Sequence, residues 1–189
     1  MFLQKKGYKV TLFDKNDPGV SAASYGNAGH FSPYASVSLN RTDILTDVPA
    51  MLLSSRGPLA LKWNYVPKMI PWFSRFILNC GKEKMMHTAK YMHQILDQSL
   101  PAFDELFDEI NLDGLVESNG ILYVWTNKSK KSRDLEIKIR DELGVKQQLV
   151  NAKEIHDLEP NIKPIYDGGV FYSYAKHTNL SLIHISEPT

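Results

Sequence analysis

One cysteine, Cys80, is all that the 189 residues hold. A lone thiol excludes an internal disulfide and a cysteine-built zinc centre, and it accords with a reducing compartment. No metal site is expected. An excess of basic charge is missing too, since 22 Lys and Arg stand against 21 Asp and Glu. Nucleic-acid binding draws on clustered cationic surface, so that class of partner is set aside. No uninterrupted apolar run approaches the roughly 20 residues that a membrane-spanning helix needs. The polar N-terminal stretch ending at Gly7 does not read as a secretory leader, and a cytoplasmic location is expected. Internal repeats and low-complexity tracts are absent from the sequence.

What is present is an ordinary globular composition, 43% hydrophobic and 23% charged, in a chain long enough for a domain with a real core. In "FLQKKGYKVTLFDKNDPG", Leu3, Gly7 and Val10 fall where a helix ends, turns and enters a strand. The spacing predicts that strand over Val10 to Phe13, closed by Asp14 and ended by the loop Asn16 to Gly19. From Lys82 to Asn111 the apolar residues Met85, Ala89, Met92, Leu96, Phe103, Phe107 and Ile110 recur at helical spacing. Pro101 divides them into two helices, or kinks one, and the methionines are expected to fill a helix–helix core. "GILYVWT" alternates as a strand with both faces largely covered. Leu135, Ile139 and Leu143 mark an amphipathic helix with Ser132 as its cap and Gly144 at its end. Asn151 and Glu154 stand at capping-box spacing before a short helix that Pro160 stops at about Glu159, and "GGVFYSY" reads as another strand. Leu59 to Leu78 carries Trp63, Tyr65, Trp72, Phe73 and Phe76, interrupted by lysine, proline and arginine. Helices packed on a core are expected there, with a membrane-surface patch as the alternative. Strands and helices thus alternate around one long helical block, which predicts an α/β nucleotide-binding domain with a second, mixed region inserted.

Two features carry chemistry. Asp14 is a carboxylate at the C-terminal end of the predicted strand, where such an acid accepts hydrogen bonds from ribose hydroxyls. It reads equally as a turn acid before a Pro-Gly loop. "SAASYGNAGHFSP" gathers Ser, Ala, Gly and Asn with almost no large apolar residue. Small side chains let a backbone approach a ligand closely, and they suit a flexible loop just as well.

"GYKVTLFDKNDPG", "SYGNAGHFSP", "LNCGKEKMMHTAKYMHQILDQS", "SNGILYVWTN", "EIHDLEPNI" and "GGVFYSYAKHTN" follow one another in an order that resembles FAD-dependent D-amino-acid dehydrogenases. These belong to the wider D-amino-acid oxidase and glycine oxidase superfamily, and the resemblance covers nearly everything up to Asn179. It implies an α/β fold with an α+β insert: a partial FAD-binding Rossmann-like domain, inserted helices and a mixed or antiparallel substrate-domain sheet. Residues 1–40 would be the partial FAD-binding domain, and 41–179 the helical insert with part of the substrate domain. The resemblance implies that Asp14 binds the adenosine ribose of FAD. Ser24, Asn27, Ala28 and Gly29 would run from pyrophosphate to flavin, with His30, Phe31 and Ser32 close to the ring. Glu159 would be structural, and His177 would lie in a segment that runs on towards the active site.

The implied activity is oxidation of a D-amino acid to a 2-oxo acid and ammonia, with a separate electron acceptor and, in some relatives, peripheral contact with the inner membrane. A glycine or sarcosine oxidase-type enzyme and a non-catalytic nucleotide-binding subunit are the alternatives. There are departures. Ala175 and Lys176 stand where relatives carry an acid, and Leu180 stands where they carry proline. "LSLIHISEPT", residues 180–189, resembles a translated sequencing adapter and is assigned no function. The resemblance also places the last glycine of a G-x-G-x-x-G loop about five residues before Met1. The chain as written is therefore expected to hold FAD weakly and to be inactive alone.

Overall fold

The computed structural model describes residues 2–11, 13–15, 28–41, 48, 52, 61–109, 114–126 and 130–178. Its elements are helices α1 (Phe2–Lys5), α2 (Val66–Leu78), α3 (Lys82–Asp97), α4 (Ser99–Phe107), α5 (Lys130–Glu142) and α6 (Ala152–Leu158). With them run strands β1 (His30–Phe31), β2 (Val116–Glu117), β3 (Ile121–Trp125), β4 (Gln148–Asn151), β5 (Gly168–Tyr172) and β6 (Lys176–Thr178). The strands form two three-stranded sheets, ordered β1–β6–β2 and β3–β5–β4, and every pairing is antiparallel. Mixed helices and antiparallel sheets are thus what the expected class, with its inserted region, delivers.

The predicted strand at Val10 to Phe13 does not form. Val10, Thr11 and Phe13 are unpaired coil, Phe13 is 93% exposed, and Leu12 lies outside the described residues. Backbone geometry alone does not hold a strand. It needs a neighbour for its N–H and C=O groups, and none of the described residues runs beside this segment.

The second sheet carries one core. Tyr34, Val145, Val170, Tyr172 and Ala175 are buried together, with Ile121, Trp125, Leu143 and Tyr174 packed against them. A second cluster joins Met85 and Ala89 of α3 to Ile139 of α5, and Leu143 touches both clusters. Met85 therefore fills a helix–helix contact as expected, whereas Met92 on the same helix is 40% exposed. The break at Pro101 falls in the first turn of α4, where its missing N–H costs nothing. Ser132 does not cap α5, because the helix begins two residues earlier at Lys130. The capping box of α6 is complete: Asn151 Oδ1 accepts from Lys153 N and Glu154 N, while Glu154 Oε2 accepts from Asn151 N.

The expectation that Leu59 to Leu78 packs on a core is not met by its described part. Helix α2 buries none of its residues, and Ile70, Trp72, Ile77 and Leu78 are exposed, as are Trp63 and Tyr65 in the 3-10 turn before it. Trp72 instead stacks on Phe76 of its own helix, with centroids 5.2 Å apart. Among the described residues no helix is long and apolar enough to cross a membrane.

Candidate functional site

Strand β1 presents the described part of the small-residue segment. Ala28 is exposed, and Gly29 has φ 63°, a left-handed conformation in which an L side chain crowds its own backbone. Its carbonyl accepts a hydrogen bond from Thr178 N at 2.8 Å, which fixes the chain as it enters β1. His30, exposed, then pairs with His177 across β6, and Phe31 pairs with Lys176. Phe31 turns inward against Phe103 and Phe107 of α4, with centroids 4.8 and 5.7 Å away. The two imidazoles lie 6.4 Å apart, and His177 Nε2 lies 3.5 Å from Glu117 Oε2 on β2. Lys176 pairs with Asp104 of α4. Ser32 follows with its hydroxyl 3.1 Å from Tyr34 Oη.

Of the residues predicted for the cofactor, Ala28, Gly29 and His30 are therefore consecutive at one edge of the first sheet. Asp14 is exposed in coil, while Ser24 and Asn27 lie outside the described residues. The donor and acceptor set fits the ribose and flavin parts of FAD. It comprises a solvent-facing carboxylate at Asp14, and at 28–29 a backbone with no bulky side chain over it. Glu159 accepts a hydrogen bond from Asn161 N at 3.2 Å in the turn after α6. Among the described residues no cluster of His, Cys, Asp or Glu could hold a metal ion.

Sequence reasoning passes over an aromatic group beside this strip. Tyr34 stacks on Tyr172 at 3.9 Å and 9°, and both are almost wholly buried. Tyr34 Oη also lies 3.3 Å from Tyr123 Oη. Burial raises the pKa of Tyr34 and pushes Tyr172 up to about 12, so both phenols stay protonated at neutral pH. The alternation of Tyr123 and Trp125 along β3 is the available signal, but it does not tell which partner faces it.

The family described as FAD dependent oxidoreductase (DAO) matches residues 1–183. The chain belongs to this family. Members of the DAO family depend on FAD, and the match runs four residues past Asn179 into the segment read as extraneous. Among curated relatives, a D-amino-acid oxidase of Bradyrhizobium diazoefficiens is 33% identical over 168 residues, 88% of this chain and 40% of its own length. A D-amino acid dehydrogenase of Helicobacter pylori is 22% identical over 94% of this chain and 42% of its own. Another, of Vibrio vulnificus, is 23% identical over 87% and 40%. The chain thus spans about two-fifths of the length of the curated relatives it matches. No solved structure matches it significantly.

Proposed function

We propose that Asp14, Ser24, Asn27, Ala28, Gly29 and His30 hold FAD in an enzyme that oxidises D-amino acids to 2-oxo acids and ammonia. The observation that carries this reading is the match along most of the chain to relatives named D-amino-acid oxidase and D-amino acid dehydrogenase. When bound, FAD would supply the two-electron acceptor that oxidation of the substrate's amine-bearing carbon requires. The chain's own residues bind and orient. The Asp14 carboxylate accepts hydrogen bonds from the ribose hydroxyls. Ala28 and Gly29 leave room for a flat ring against the backbone, and the Thr178 bond to the Gly29 carbonyl holds that backbone in place. Residues 1–40 form the cofactor-facing part and 41–179 the insert and part of the substrate domain, while 180–189 have no part in the chemistry.

Assay of the complete gene product tests the reading. D-alanine should be turned over with FAD bound, with dioxygen or a dye as acceptor separating an oxidase from a dehydrogenase. Turnover of sarcosine or glycine in its place would make it an amine oxidase of another kind. Ligand binding without turnover would leave a nucleotide-binding subunit. The 189 residues contain no G-x-G-x-x-G loop. Helix N-terminal amides of that kind are the strongest pyrophosphate anchor, so this chain alone should hold FAD weakly.

One observation favours a finer reading, peripheral contact with the cytoplasmic face of a membrane. Between Asp47 and Glu83 the sequence has no acidic residue but has Arg56, Lys62, Lys68, Arg75 and Lys82. Within that stretch α2 exposes Ile70, Trp72 and Ile77. Exposed apolar and aromatic side chains flanked only by cations, with Ile70 and Ile77 on one side of the helix and Trp72 on the other, are what anionic lipid headgroups attract. Sedimentation with phosphatidylglycerol vesicles should carry the protein down, and Ile70→Glu with Ile77→Glu should leave it in the supernatant. Equal recovery with and without vesicles would remove the reading.

A further inference from the structure

The turn joining β2 to β3 holds Asn119 followed by Gly120, the single Asn-Gly pair of the sequence. The fold itself demands the glycine. Gly120 has φ 75°, and a Cβ there would lie 2.7 Å from the Phe171 ring and 2.9 Å from the Tyr172 carbonyl oxygen. A residue without a side chain also leaves its backbone nitrogen unhindered towards the asparagine before it. That nitrogen makes no turn or loop hydrogen bond to backbone among the described residues. Asn119 is exposed, and its Nδ2 donates to Glu117 Oε2 at 2.8 Å. The same carboxylate oxygen lies 3.5 Å from His177 Nε2 on β6, and His177 pairs with His30 on β1. The Asn119 amide is thus one end of a polar row that crosses the first sheet.

We propose that Asn119 is a site of spontaneous modification, converted to aspartate or isoaspartate through the backbone nitrogen of Gly120, and that the conversion loosens the turn between the two sheets. The Gly120 nitrogen attacks Asn119 Cγ and closes a succinimide ring, a reaction within one chain that needs no encounter. The Cγ–Nδ2 bond breaks, and Nδ2 leaves as ammonia with the proton that Gly120 N gives up. Water then opens the ring. Opening at Cγ gives aspartate, whereas opening at the main-chain carbonyl gives isoaspartate, with the chain rerouted through Cγ. No oxidant or reductant takes part. Either product removes a donor to Glu117 and adds a carboxylate in the same turn, so attraction gives way to repulsion between like charges. Isoaspartate also lengthens the main chain by a methylene. The disturbance falls on a short ladder, because β2 meets β6 through Val116 with Thr178 and Glu117 with His177. Thr178 in turn donates to the Gly29 carbonyl, so the loosened ladder borders the cofactor strip.

Ageing the full-length protein in mildly alkaline buffer tests the proposal, read by peptide mass mapping and by enzymatic methylation of isoaspartate. Asn119 should convert ahead of every other asparagine in these 189 residues. Its rate in the native protein should stay within about tenfold of the rate in urea, where no fold protects it. Asn119→Gln keeps an amide beside Glu117 but has to close a larger ring, so conversion at this position should fall about tenfold or more. Asn119→Asp carries the product charge from the start. It should exchange the amides of β2 and β6 faster than the fresh parent protein does, with β3 and β5 unchanged, and so should the aged parent. Earlier conversion of another asparagine, or native protection beyond that tenfold, would overturn the site. Exchange in β2 and β6 that is equal in aged and fresh protein would overturn the loosening. None of these readouts involves FAD, so failure here leaves the reading of the cofactor strip standing, and the reverse also holds.

Discussion

Gly29, Tyr172 and Asp14 each put a different kind of free energy at stake. At Gly29 the left-handed φ of 63° is open to glycine alone without strain, so Gly29→Ala should cost about 1–2 kcal/mol in urea unfolding. Tyr172 carries a hydroxyl with no partner among the described residues in a side chain 1% exposed. Its removal in Tyr172→Phe should raise stability by about 1 kcal/mol, an uncommon sign for a core substitution. The same residue sets an alkaline limit. Its pKa is about 12 folded against the ordinary 10.0, so the folded chain holds the proton more tightly than the unfolded one. The stabilisation is complete below pH 10 and is lost as pH rises through the folded value, so unfolding should advance between about pH 10 and 12. Circular dichroism against pH measures this, and Tyr172→Phe should flatten the response. Asp14→Ala would remove a charge-assisted acceptor worth about 1.5–3 kcal/mol, weakening FAD binding to the complete enzyme about tenfold or more.

Elements with a strong local code are legible in the sequence itself. The two helices meeting near Pro101, α5 ending beside Gly144, and α6 with its capping box all follow from periodicity and caps. Asn151→Ala should accordingly lower stability by about 1 kcal/mol in thermal melts. Strands β3 and β5 are legible from alternation, but their contact is not. A Cβ on Gly169 would lie 2.6 Å from the Tyr123 carbonyl oxygen and 3.0 Å from Val150 Cγ2, so Gly169→Ala should cost roughly 1–3 kcal/mol. Nothing in "GGVFYSY" distinguishes that close approach from a turn. The unpaired segment at Val10 and the uncovered helix α2 depart from expectation for a shared reason. Composition reports what an element prefers, whereas a strand or an apolar face also needs something beside it, and neither has it among the described residues.

At the scale of the molecule, the candidate site divides along the same line. The segment from Ala28 to His30 is legible as a candidate because it is contiguous, with Ala28 and Gly29 small enough to let a backbone be approached closely. The aromatic group of Tyr34, Tyr123 and Tyr172 is not, because it draws on residues from 34 to 172 that only packing brings together. Helix α4 offers a last consequence of this long-range assembly. Lys5 near the start of the chain pairs with Glu105 on that helix and with Glu109 just past its end, while Lys176 near the last described residue pairs with Asp104. The helix acts as an ionic clasp closing the polypeptide into a loop, and exposed clasps of this kind yield to screening. Dyes placed at residues 2 and 173 should therefore drift apart as sodium chloride approaches about 1 M, making their energy transfer a gauge of the surrounding electrolyte.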